Sequence, residues 1–256
     1  MNSLKKFIFE LQEITNLIVF AFAGAFKKPY YITDLIRQMD IIGVGSLPIV
    51  LLTGFFTGGV IVLQTYPTFE YYSIQNQVGK SVATGLMREL GPVLTALMVS
   101  GRIGSAISAE LGSMVVSQQI DAMRALGTDP NRKLVAPRLI ALILMLPLLT
   151  VAADLFGIIG GGAVASLIFN HDTNIFISSV RNGITSQDVL GGVIKPIVFG
   201  LITGSISCYK GLTTTDGTVG VGRSTTSAVV LASIVVIIFD FFLSKMLQTL
   251  LGLQYI

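Results

Sequence analysis

Five stretches of the chain are apolar for long enough to cross a bilayer: about 41–63, 81–107, 139–169, 189–209 and 226–251. Roughly 30 Å of hydrocarbon needs about 20 helical residues at 1.5 Å each, so the pattern predicts five transmembrane helices. Ahead of them lies a different pattern, in which Leu4, Phe7, Leu11, Ile14, Ile18, Phe22 and Phe26 recur at alternating three- and four-residue steps among Lys5, Lys6, Glu10 and Glu13. That places one apolar face on a helix over 3–28, suited to lie in the membrane surface. A signal peptide is the rival, since Ala21-Phe22-Ala23 resembles a cleavage site, but the two glutamates interrupt its apolar core.

The first span is expected to bend near Pro48, and the tyrosine-rich stretch "QTYPTFEYYSIQNQVGKS" (64–81) to form a polar loop at the membrane boundary. The third span, with Pro147, Asp154 and Gly160-Gly161-Gly162, is too long for a straight crossing. Residues 170–187 are polar, with room for a short surface helix. The expectation is an all-α membrane protein, residues 1–256 forming a single domain.

The most polar stretch mid-chain, "SQQIDAMRALGTDPNRK" (117–133), lies between spans 2 and 3. Val116, Ile120, Met123 and Gly127 share one helix face, while Gln118, Asp121 and Arg124 point elsewhere. Gly127 is placed to end the helix, and Asp129-Pro130 prevents its continuation. A short amphipathic helix over about 110–127 follows. It is either a solvated connector or a docking helix for a partner.

Composition agrees with lipid as the solvent: 52% of the residues are hydrophobic and 12% charged, where soluble domains carry about 25% charged residues. The net charge of +3 is modest and favours no nucleic-acid partner. Its distribution is more informative. With a cytoplasmic N-terminus, that side receives 12 of the 17 basic residues, among them Arg37, Arg102, Arg124, Arg132, Lys133, Arg138, Lys210 and Arg223, leaving Lys80, Arg88, Arg181, Lys195 and Lys245 elsewhere. The positive-inside rule then puts the N-terminus and the 117–133 segment in the cytoplasm and the C-terminus outside.

Ionisable groups inside spans are costly and face a protein interior or a wet cavity. Arg88, Glu89 and Lys195 each lie roughly 9 to 12 Å in from the outer side, which predicts one shared polar cluster. It is either an ion-pair lock between helices or a cavity for a substrate with a charged head and an apolar body. Asp154 and Asp240 sit near the middles of spans 3 and 5 and read as packing or hydrogen-bonding groups, with a proton relay as the alternative. Gly54 and Gly58, Gly157 and Gly161, and Gly200 and Gly204 are spaced for close backbone packing, within the chain or between two copies.

Other chemistry finds little support. "GKS" at Gly79–Ser81 lacks the glycine a phosphate loop needs five residues earlier, where Ile74 stands. Cys208 is the only cysteine and His171 the only histidine, the latter expected at the surface, so neither a disulfide nor a metal site is expected. No nucleophile constellation points to an enzyme.

"DAMRALG" (Asp121–Gly127) is similar to the Glu-Ala-Ala-x-x-x-Gly loop that importer permeases of the ATP-binding-cassette class insert into their ATPases, with Asp121 in place of Glu and Met123 in place of the second Ala. The Leu-x-Leu-Pro of that loop, Leu144–Pro147, falls seven residues too far along. The longer string "RELGPVLTALMVSGRIGSAISAELGSMVVSQQIDAMRALGTDPNRKLVAPR" (88–138) resembles the signature of the MlaE family of lipid-transporter permeases, and "LPLLTV" (146–151), "IKPIVFG" (194–200) and "GVGRSTTSAVV" (220–230) extend the likeness. Pro196 after Lys195 departs from some relatives.

The resemblance implies a homodimeric permease in the inner membrane of a Gram-negative bacterium. It binds cytoplasmic ABC ATPase subunits, a STAS-domain protein and a periplasmic hexamer of mammalian-cell-entry (MCE) proteins, and moves phospholipid between inner and outer membranes to maintain outer-membrane lipid asymmetry. It implies a lipid cavity near Arg88, Glu89 and Lys195, with Tyr72 and Gln64 close by, and ATPase coupling through Glu110, Gln118, Asp121, Arg124, Gly127 and Asp129. ATP and Mg would be used by the ATPase, with no cofactor on this chain. The competing reading from the residues is a proton-coupled secondary transporter of an amphipathic substrate, driven through Glu89, Asp154 or Asp240.

Overall fold

The computed structural model describes residues 3–25 and 30–251, and these form helices joined by short turns. In chain order they are α1 (Ser3–Ala25), α2 (Ile32–Tyr71), α3 (Gln75–Val116), α4 (Gln119–Ala125), α5 (Asn131–Phe169), α6 (Thr173–Gly183), α7 (Ser186–Leu212) and α8 (Gly217–Leu251). Five of them, α2, α3, α5, α7 and α8, are long and apolar enough to span a membrane. Phe26, Lys27 and Lys28, expected to finish the first helix, lie outside the described residues.

The spans run well past their apolar runs. α2 begins at Ile32 and continues through Pro48 and Pro67 to Tyr71, so much of the stretch expected as a loop is helical. A helix satisfies its own backbone groups, and near a bilayer that outweighs the hydrogen bond each proline removes. The helix stops where Ser73 adopts φ 57°, with Ile74 N–H donating to the Phe69 carbonyl and Ser73 N–H to that of Glu70. α3 and α5 contain wide π turns at Leu86–Leu90, Ser100–Gly104 and Asn131–Val135. Such turns gather at functional sites, and two of these three hold Arg88, Glu89, Arg132 and Lys133.

The chain divides into two compact units, each taking pieces of several helices: Met1–Ile42, Val99–Met145 and Val198–Val236 in one; Gly43–Met98, Leu146–Ile197 and Ile237–Ile256 in the other. In the first, α1 turns Leu17, Ala21 and Gly24 inward, and Arg132 lies against Gly24, donating from Nε to its carbonyl at 3.3 Å. Leu11 is exposed and Ile14, Ile18 and Phe22 are partly buried, so these four residues of the expected apolar face flank the Leu17, Ala21 and Gly24 contact rather than making it. Glu10 pairs with Lys210 at 3.2 Å. Gly200 and Gly204 of α7 rest on Leu139 and Leu142 of α5.

In the second unit, Gly54 and Gly58 of α2 lie against the backbone of Ala153 and Gly157, while Gly161 faces the Gly58 carbonyl at close range. The surrounding core joins Val62, Tyr66, Val78, Val82, Leu86, Ala165, Phe176 and Val180. α6 is no loose surface helix, since Phe176 and Val180 are buried against α3 and its N-terminus is capped by Asp172, whose carboxylate accepts from Asn174 N–H at 2.8 Å. His171, expected at the surface, is buried with its ring edge-on to Tyr66 at 5.7 Å.

The segment expected as one helix over 110–127 is broken in two. α3 ends at Val116 and α4 starts at Gln119, because Gln118 takes φ 58°. Left-handed backbone costs a non-glycine residue roughly 1–2 kcal/mol. Gln118→Gly should therefore raise the thermal midpoint slightly, by the equivalent of about 1 kcal/mol, whereas Gln118→Val should lower it. Thermal unfolding in detergent measures both.

Candidate functional site

Lys195 is the hub of the polar cluster. It stands on α7 at 2% exposure, and its Nζ donates to the Arg88 carbonyl at 2.6 Å, Glu89 Oε2 at 2.8 Å and Ser244 Oγ at 2.7 Å. These use all three ammonium protons, so Asp240, 3.1 Å away on α8, adds charge but no hydrogen bond. Ser244 in turn donates to Glu89 Oε2 at 3.1 Å. The wide turn at Leu86–Leu90 turns a backbone carbonyl and a carboxylate toward the same ammonium.

Arg88 is tied to a different acid. Its Nε meets Asp188 Oδ1 at 2.5 Å, and Asp188 is fully buried. The other oxygen of Asp188 accepts from Thr185 N–H at 2.9 Å and Thr185 Oγ1 at 2.7 Å, closing a capping box at the start of α7. Two cations thus meet three carboxylates, Glu89, Asp188 and Asp240. Glu89 and Arg88 remain partly exposed, at 35% and 18% of the side chain, while Lys195 is sealed. The cleft over them is completed by Gln187, Gly191 and Leu247.

The structure brings Arg88, Glu89 and Lys195 together, but not Gln64 or Tyr72, which are exposed on and just after α2 and do not line this cleft. Asp188, Asp240 and Ser244 join it. Asp188 went unmarked because it precedes the apolar run of span 4, although Thr185-x-x-Asp188 is a legible cap signal. Asp154 stands apart from this cluster, buried against Gly91 with Oδ1 lacking a hydrogen-bond partner among the described residues.

The residues of the second candidate site behave differently. Asp121 and Arg124 form an exposed pair on α4 at 3.1 Å, and Gln118 is exposed at the break. Gly127, with φ 75°, closes α4: its N–H donates to the Arg124 carbonyl and that of Thr128 to Met123. Ile120 is the buried anchor, whereas Leu126 is left 83% exposed, an apolar contact point that the helical pattern did not single out. Asp129 stands just ahead of α5, its carboxylate accepting from Asn131 N–H at 2.9 Å. Glu110 is held by the buried Arg138 at 2.8 Å.

A multi-pass helical membrane protein with a buried charge hub and an exposed polar helix between spans is the class this geometry defines. Residues 35–246 match the family model described as Permease MlaE, and the chain belongs to that family. It is 41% identical over 227 residues to a probable ABC transporter permease of Rickettsia typhi, covering 89% of this chain and 88% of that one. A probable ABC transporter permease of Synechocystis is 44% identical over 209 residues, 82% of this chain and 80% of its own. The intermembrane phospholipid transport system permease protein MlaE of Haemophilus influenzae is 37% identical over 214 residues, 83% of this chain and 82% of its own.

Proposed function

We propose that this chain is the membrane permease of an ATP-driven phospholipid transporter, acting as a homodimer in the inner membrane of a Gram-negative bacterium. The observation that carries the reading is the 37% identity, over most of both chains, to a permease named for intermembrane phospholipid transport. Cytoplasmic ABC ATPases, bound with a STAS-domain protein, supply the energy from ATP and Mg, and a periplasmic MCE hexamer exchanges lipid with the permease. Movement of phospholipid between the two membranes then maintains outer-membrane lipid asymmetry.

In this reading α4 seats in the ATPase through Asp121, Arg124 and Leu126, all exposed. Closure of the ATPases shifts α4 about the break at Gln118, and Asp129 hands the shift to α5, whose first turn it caps. The two states of the dimer interface convert this into opening and narrowing of a lipid path. Arg88 and Glu89 are the members of the hub that reach the path, with Gln64 and Tyr72 along it, and Lys195 holds their shared turn in place.

Co-purification with the ATPase tests the reading. The isolated chain should hydrolyse no ATP, and Asp121→Ala with Arg124→Ala should lower ATPase recovery severalfold. Hydrolysis by the chain alone, or undiminished recovery, would count against it. The proton-coupled alternative assigns no role to the exposed α4.

A further inference from the structure

We propose that a second, basic cleft in the unit containing the start of α2 binds the phosphate headgroup of an anionic phospholipid, apart from the transported lipid. Arg37 from α2 and Lys133 and Arg138 from α5 line it, opposed by Asp34 and Glu110, so cations outnumber acids three to two. The side chains of Arg37 and Lys133 make no ion pair or hydrogen bond among the described residues. Arg138 is 3% exposed and spends one terminal nitrogen on Glu110 and the other on the Leu134 carbonyl, but its buried Nε has no acceptor.

A buried guanidinium N–H without a partner is costly, and a phosphate held by Arg37 and Lys133 beside Arg138 supplies the negative charge that this side chain lacks. Gln38 adds an amide to the same wall, while Ile41, Met114, Leu134 and Pro137 make the rest of the lining apolar. A free phosphate has no use for those four. A headgroup carrying acyl chains does, and basic pockets between membrane helices are suited to anionic lipids. The cleft lies at the ends of α2 and α5 that carry the excess of basic residues, where a headgroup sits. This inference stands independently of the ATPase and of transport through the Lys195 region.

Delipidated full-length protein in mild detergent, titrated separately with dioleoyl phosphatidylglycerol and dioleoyl phosphatidylcholine and read by native mass spectrometry, tests it. The wild type should retain phosphatidylglycerol in preference to phosphatidylcholine. Arg37→Gln with Lys133→Gln should weaken that retention about thirtyfold, from roughly fivefold per basic side chain. Both side chains are exposed, and an unchanged thermal midpoint in phosphatidylcholine will show that the variant folds. Inorganic phosphate should not displace the lipid. Equal retention of the two lipids, an unaffected double variant, or displacement by phosphate would overturn the assignment. So would lost ATPase recovery with phosphatidylglycerol binding intact, which would make the cleft a protein-docking site.

Discussion

Lys195→Met should destabilise the protein more than any other single change in the polar cluster, by about 3–5 kcal/mol, because it leaves buried acceptors without their cation. Methionine fills a similar volume, so the loss is not one of packing. Glu89 Oε2, Ser244 Oγ, the Arg88 carbonyl and the Asp240 carboxylate all lie within 3.1 Å of the ammonium, and without it two neighbouring carboxylates, Glu89 and the more buried Asp240, would lose their shared cation. Lower yield of monodisperse protein and a lower thermal midpoint in detergent are the expected readouts. Adding Glu89→Gln and Asp240→Asn to Lys195→Met should recover much of the loss, since no net charge then remains unpaired around that position. A Lys195→Met protein as stable as wild type would show that the hub is not what holds α7 and α8 to the wide turn of α3. Lys195→Arg should rescue only in part, because a planar fork cannot reproduce three donors diverging from one nitrogen.

Gly58→Val should be the second large effect. A Cβ at Gly58 would overlap the carbonyl of Gly157, and because the obstacle is backbone, α2 and α5 must separate to admit it. Overpacking of this kind costs about 1–3 kcal/mol, at the upper end where no side chain can swing aside. Gly222→Ala provides the contrast, since nothing stands within 4 Å of the added methyl group, and it should be neutral or stabilising by up to about 1 kcal/mol. Thermal midpoints for the two variants should move in opposite directions or, at the least, differ clearly. Equal midpoints would remove the packing role assigned to this contact.

Much of the candidate site could be read from single residues. Arg88, Glu89 and Lys195 were marked by their cost inside apolar runs, and helical rise placed them at one depth. Asp240 was also marked, but its place beside Lys195 rather than in a relay depends on how α7 meets α8. Asp188 and Ser244 escaped, the first because it precedes the apolar run of span 4, the second because a serine in a helix carries no burial cost that stands out. The same limit applies to the segment after α3. Periodicity ran unbroken across Gln118, and its left-handed backbone and the burial of Ile120 just after it appear only in the structure.

The sequence by itself determined that the chain is helical, that it has five helices apolar and long enough to span lipid, which ends of those helices are rich in positive charge, and which polar groups are too costly to be incidental. These follow from properties summed along a single helix: apolar length, periodicity and the price of a charge in hydrocarbon. Only the tertiary structure decided that helices outrun their apolar cores, that the turn at Leu86–Leu90 widens to face Lys195, that Asp188 takes Arg88, and that Arg138 is buried with an N–H to spare. Those depend on which groups meet across helices, and a one-dimensional pattern records exposure to lipid without recording the neighbour on the other side.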